Sequence, residues 1–173
     1  MKHQPEAFLL ELIRYNNWAN AQVISACQSL TAEQRVATVP GTYGSIHATL
    51  GHLIYAEMSY VERLTGICPQ PTFKWDKPPS IDELAAFASL VAESLLDAIQ
   101  RTPPTQMVHE EEKGNTADYQ ARVLFIQIIN HGIEHRTNIT TILSSLGLPT
   151  PEVDGWGYTW AHPDEFEVKE GLV

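Results

Sequence analysis

Apolar residues recur at helical spacing in four long stretches, separated by segments rich in proline and glycine. The first stretch runs from about Pro5 to Leu30. Phe8, Leu12, Tyr15 and Ala19 form one stripe on it, and Leu9, Ile13, Asn16 and Val23 form another. Pro5 suits a first helical position. Thr31 with Gln34 reads as a capping box that opens a short extra turn, and TVPGTYG reads as a loop. The second stretch spans about Ser45 to Thr65 and stops at Gly66, with Ile46, Leu50, Leu53, Met58, Val61 and Leu64 apolar. After the polar loop CPQPTFKWDKPP, Ser80 and Glu83 form a second capping box and open a third helix that ends before Pro103. Met107 to Glu112 has the form of a short strand, with a turn at Lys113-Gly114-Asn115. The fourth helix is expected from about Ala117 to Leu146 and closes at Gly147-Leu148-Pro149. The last residues hold DGWGYTWAH and a charged tail. The expectation is therefore an all-α four-helix bundle over about residues 5–148, with a non-helical tail over 149–173, in a single domain over 1–173.

Composition narrows the function classes. The chain has 173 residues, 43% of them hydrophobic, enough for one core. Its formal charge of −10 and the absence of any basic run argue against nucleic acid as a partner. Glu11 and Arg14 interrupt the first apolar stretch, so it reads neither as a signal peptide nor as a membrane span. Cys27 and Cys68 are too few and too far apart for a disulfide framework, and a cytoplasmic protein is expected.

The chemical signal is a pair of histidines. In the fourth stretch Leu124, Ile128, His131, His135, Ile139, Ile142 and Leu146 fall on one face. His131 and His135 lie one helical turn apart, with Cβ atoms ~6 Å apart. One buried histidine is easily satisfied by a carbonyl or hydroxyl. Two on the same apolar stripe each need a partner, and a shared cation serves both. His52, in TLGHLIYAEM, is the third candidate ligand; its neighbours at one-turn spacing are Ala48, Thr49, Tyr55 and Ala56, and the small ones leave room around it. His47 lies five residues earlier, about 140° around the helix, and reads as a surface or capping residue. His3, His109 and His162 fall in a terminus and in loops. His131 to His135 also fits H-x-x-E-H, in which Glu134 would be the base of a zinc peptidase. A further carboxylate ligand would then have to come from Glu165, Glu167 or Glu170 in a loop-like tail.

Three longer segments extend the pattern: YNNWANAQVISAC, GSIHATLGHLIYAEMSYVERLTG and NHGIEHRTNITTILSSLG. In order and spacing they resemble the DinB-like family of small helical proteins over roughly residues 5–150. The resemblance implies an up-down-down-up bundle with a long crossover and frequent homodimers. It implies one divalent metal ion, nickel or zinc, held by His52, His131 and His135. It also implies thiol transfer or thiol-dependent isomerisation of a small-molecule substrate, with a low-molecular-weight thiol as co-reactant. Metal-dependent hydrolysis and a non-enzymatic, metal-stabilised binding protein are the alternatives. Where the family commonly has Gly-Gln after His-Arg, this chain has Thr137-Asn138. No catalytic residue is assigned; Tyr55, Glu57, Glu134 and Asn138 are candidates to support the ligands. Phe125, Ile129 and Ile133 form a second apolar line, which either pairs two copies or lies under the C-terminal segment.

Overall fold

A computed structural model of the chain describes residues 5–112 and 114–167. Four long helices dominate it: α1 (Pro5–Gln28), α3 (Ile46–Thr65), α4 (Ile81–Arg101) and α5 (Arg122–Ser145), with a short α2 (Ala32–Arg35) after the first. Local chemistry marks their ends where the sequence signals stand. The Thr31 and Ser80 side chains accept from the backbone of Gln34 and Glu83, whose side chains bond back to the cap N–H groups. Ser45 caps α3, and Gly66 ends it in the left-handed conformation at φ +75°. At the end of α5 the N–H of Gly147 reaches Ser144 O and that of Leu148 reaches Leu143 O, a Schellman closure that seats Leu148 against the core.

Two apolar clusters fill the bundle. One joins Val23, Ile24 and Cys27 of α1 and Ile139, Ile142 and Leu143 of α5 to the first halves of α3 and α4. The other joins Ile13 of α1 and Leu124, Phe125 and Ile128 of α5 to the second halves of α3 and α4. The histidines fall between these clusters on α5. The segment linking α3 to α4 is held down by Phe73, edge-on to Phe87 at 5.8 Å, and by Trp75 against Tyr55 at 6.1 Å.

The short strand expected at Met107 to Glu112 is present as β1 (Met107–Glu112), and the molecule departs from the expected fold in two places. Residues 115–120 do not begin the fourth helix. They form β2 (Asn115–Gln120), antiparallel to β1 (Met107–Glu112), with Val108 opposite Tyr119. Val108 is buried and Tyr119 packs against the same cluster, so the hairpin has an apolar side to cover. Lys113, in the expected turn, lies outside the described residues; Gly114 has φ +80°. Helix α5 therefore starts at Arg122 without a side-chain cap. The N–H groups of Ala121 and Arg122 donate instead to Gln106 O and Pro104 O, so the base of the hairpin stands in for a cap. The second departure is α6 (Gly155–Ala161), capped by Asp154, in the tail expected to be non-helical. Tyr158 anchors it: the ring packs on Trp18 and the hydroxyl donates to Glu11 at 2.6 Å.

Two expected core positions also move outward: Phe8 is 68% exposed and Leu146 39%. Of the second apolar line on α5, Phe125 is buried within the chain and Ile129 partly so. Among the described residues no helix is long and apolar enough to cross a membrane.

Both cysteines are free thiols. Burial pushes the Cys27 thiol up to about 12, whereas Cys68 lies partly open. A thiol reagent at neutral pH should label Cys68 alone in the folded protein and Cys27 only after denaturant is added. Rapid native labelling of Cys27 would show that this end of the core opens easily.

Candidate metal centre

The separation of four residues on α5 and the position of His52 on the facing α3 bring three imidazoles together. His131 Nε2 lies 3.1 Å from His52 Nε2 and 3.0 Å from His135 Nε2. Among the described residues these three are the one group of histidine, cysteine or carboxylate side chains close enough to share an ion. Burial lowers the pKa of all three. His131 falls furthest, to about 4, through burial first and then the neighbouring His135 and His52 rings. The rings are therefore uncharged near neutral pH. Nε2 of His131 has two nitrogen neighbours and can make at most one N–H···N bond with its single proton or lone pair. A cation resolves that mismatch, because three lone pairs can then point at one centre. Nitrogens about 2.1 Å from a common ion and about 90° apart lie about 3 Å from each other, which matches the two separations at His131 Nε2.

The other histidines stay outside. His47 is half-buried, with Nε2 2.6 Å from Pro79 O. His109 sits exposed on β1 against Asp118. His162 ends α6 and packs on Trp18 and Tyr158. His3 and Glu170 lie outside the described residues. Glu134 is exposed and belongs to no ligand group among the described residues. Its charge reaches His135 only as a minor effect that opposes burial.

A second polar seam runs beside the first, one residue further round α5. Arg136 is 2% exposed; its Nη1 donates to Asn16 Oδ1 and Asn20 Oδ1, each at 2.7 Å. Both asparagine amides in turn donate to Glu57 Oε1, at 2.7 and 2.8 Å. The two amides thus link a cation's donor to an anion's acceptor across the core, and Arg136 Nη2 is left without a hydrogen-bond partner among the described residues. Burial still drives Glu57 up and Arg136 down, against these partners. Gly132 makes room for the seam: a methyl group there would collide with Asn16 Oδ1 and Arg136 Nη1. Glu57 is thus a member of this seam rather than a direct partner of the histidines, and Tyr55 is 52% exposed against Trp75.

Asn138 does support the triad. Its amide donates to Glu134 O, and its Oδ1 accepts from Tyr43 N–H at 3.1 Å. Tyr43 packs on His52 and His135, and Tyr60 meets His131 edge-on at 6.0 Å. Sequence reasoning missed Tyr43, Tyr60, Arg136 and the Asn16–Asn20 pair. The asparagines carried a signal, two amides one turn apart on an apolar stripe. The tyrosines carried none.

Comparison with known proteins agrees with this arrangement in extent. A family model described as the DinB family matches residues 1–169. The chain is also 21% identical over 156 residues to Protein DinB of Bacillus subtilis (strain 168), covering 85% of this chain and 91% of that protein.

Two outcomes follow from the seams. An unfolded imidazole titrates near 6.5, so between about 6.5 and about 4 the unfolded chain binds protons that folded His131 does not. Chelator-treated protein should therefore hold its full stability above that window and lose up to about 3 kcal/mol from His131 as pH falls through it. Urea titrations at several pH values should show this, and His131→Gln should flatten the curve; unchanged stability on acidification would contradict it. Gly132→Ala should destabilise by about 1–3 kcal/mol in the same assay, although alanine is the better helix former.

Proposed function

The chain belongs to the DinB family, and on that premise we propose that it is a metal-dependent protein holding one divalent ion on His52, His131 and His135. The observation that carries this proposal is the approach of two uncharged imidazole nitrogens, His52 Nε2 and His135 Nε2, to within 3.0–3.1 Å of a third, His131 Nε2, inside a bundle core. Three neutral nitrogens suit zinc or nickel, and three protein ligands leave a coordination position for a substrate. When bound, the ion would lower the pKa of a coordinated water or thiol toward neutrality.

The chain's own groups supply a place for a substrate. His52 and His131 border a cleft of about 960 Å³ that runs between α3, α5 and the hairpin. Ser59, Tyr60, Arg63, Glu110 and Gln127 line it, and Arg63 is held to Glu110 at 2.7 Å. These are hydrogen-bonding walls, suited to a small polar molecule rather than a lipid. We read the activity as transfer or isomerisation with a small thiol as nucleophile, and hydrolysis as the alternative use of the same site. A non-enzymatic role is favoured by one feature: the triad ties α3 to α5, so an ion there would also brace the bundle. The homodimer proposed with this function would use Ile126 and Ile133, which are 69% and 46% exposed.

Protein purified without an affinity tag should contain about one zinc or nickel ion per chain by elemental analysis. His131→Ala should lose it, and unchanged metal content in that variant would refute the site. Adding a small thiol to cobalt-substituted protein should shift its visible absorption. If no thiol shifts it, while chelation lowers the melting temperature, the ion is structural and the transferase assignment fails.

A further inference from the structure

A histidine that binds metal is ordinarily oriented by its second ring nitrogen, which donates to a carboxylate, carbonyl or water. Among the described residues, His131 and His135 of this triad have no such protein partner. Nδ1 of His131 and of His135 is buried, and no described group bonds it. Among the described residues the one hydrogen bond of the His52 ring is the contact with His131. Aromatic packing takes over that task. The Tyr43 ring lies over His52 with centroids 4.4 Å apart and planes 23° from parallel, and it meets His135 edge-on at 4.8 Å.

The chain between α2 and α3 is built to present that ring. Val39-Pro40-Gly41-Thr42 is a type II turn: Pro40 stands second, Gly41 third with φ +91°, and Thr42 N–H donates to Val39 O at 3.1 Å. The next N–H, that of Tyr43, donates to Asn138 Oδ1. Asn138 is itself braced by its donation to Glu134 O at 2.7 Å. Tyr43 is nevertheless 55% exposed, so the core does not require its ring. The cleft touches His52 and His131, whereas Tyr43 touches His52 and His135. The two therefore meet the triad through different pairs of rings.

We propose that Tyr43 is a positioning residue that caps the triad on the face away from the cleft, with Asn138 as its tether. Ligand exchange at the histidines is thereby directed through the cleft, and the His52 ring plane is fixed by stacking in place of a hydrogen bond. The short Asn138 side chain suits this tether, since it spans from the carbonyl one turn back to the loop N–H. The assignment rests on the metal reading above, and its test is arranged to separate the two.

In metal-free protein, diethyl pyrocarbonate modification mapped by mass spectrometry should run about 3- to 10-fold faster at His52 and His135 in Tyr43→Ala than in the wild type, the range one aromatic pair supports. Tyr43→Phe, which keeps the ring, should match the wild type. In cobalt-loaded protein, Tyr43→Ala should release the ion to excess chelator faster by a similar factor, with Asn138→Ala intermediate. The double variant should release no faster than Tyr43→Ala. Wild-type rates for Tyr43→Ala in both arms would overturn the cap. Additive acceleration in the double variant would overturn the tether. Failure of the wild type to bind cobalt would sink the metal reading, while the modification arm would still decide whether Tyr43 covers the rings.

Discussion

Everything distinctive here follows from putting polar groups on the inner face of α5. A buried imidazole or guanidinium must find partners inside the protein or lose more free energy than a few leucines can restore. Helix α5 carries two such sets one residue apart: His131 with His135, and Gly132 with Arg136. The first turns toward α3 and meets His52. The second turns toward α1 and meets Asn16 and Asn20. The helix is thus gripped on both sides by polar seams, with apolar clusters above and below them.

The seams differ in how their polar groups are matched within the chain. Arg136 reaches Glu57 through two amides whose donors and acceptors match, while its buried Nη2 has no hydrogen-bond partner among the described residues. The histidine seam gathers lone pairs instead. It has nitrogens facing nitrogens, two outer Nδ1 atoms without a protein partner among the described residues, and tyrosines as walls. Stability alone would favour leucine at these positions. Three histidines beside an open, polar cleft make sense if they hold something the chain does not supply, which joins this geometry to the family membership.

Much of this was legible in the sequence, for physical reasons. Ser45, Ser80, Thr31, Gly66 and Gly147 mark helix ends through chemistry local to a few residues. The spacing of His131 and His135 is fixed by the helix itself, and His52 stood out because its neighbours are small. What stayed hidden depends on contacts distant in the chain. The start of α5 was misplaced because no side chain caps it; backbone bonds to Pro104 and Gln106 set it. Residues 155–161 read as tail because their helix is short and held by Tyr158 against α1. Tyr43 lay in a segment legible as a loop, but its place over His52 depends on Asn138, 95 residues away. The weight of Asn138 was hidden in the same way, because its side chain acts through Tyr43 N–H and Glu134 O.

The central claim is that three Nε2 atoms share one ion. Crystals of untagged protein, measured on both sides of the zinc and nickel absorption edges, test it most directly. One anomalous peak about 2.1 Å from Nε2 of His52, His131 and His135 is the predicted result. No peak there in protein shown to contain metal, or a peak held by other residues, would contradict it.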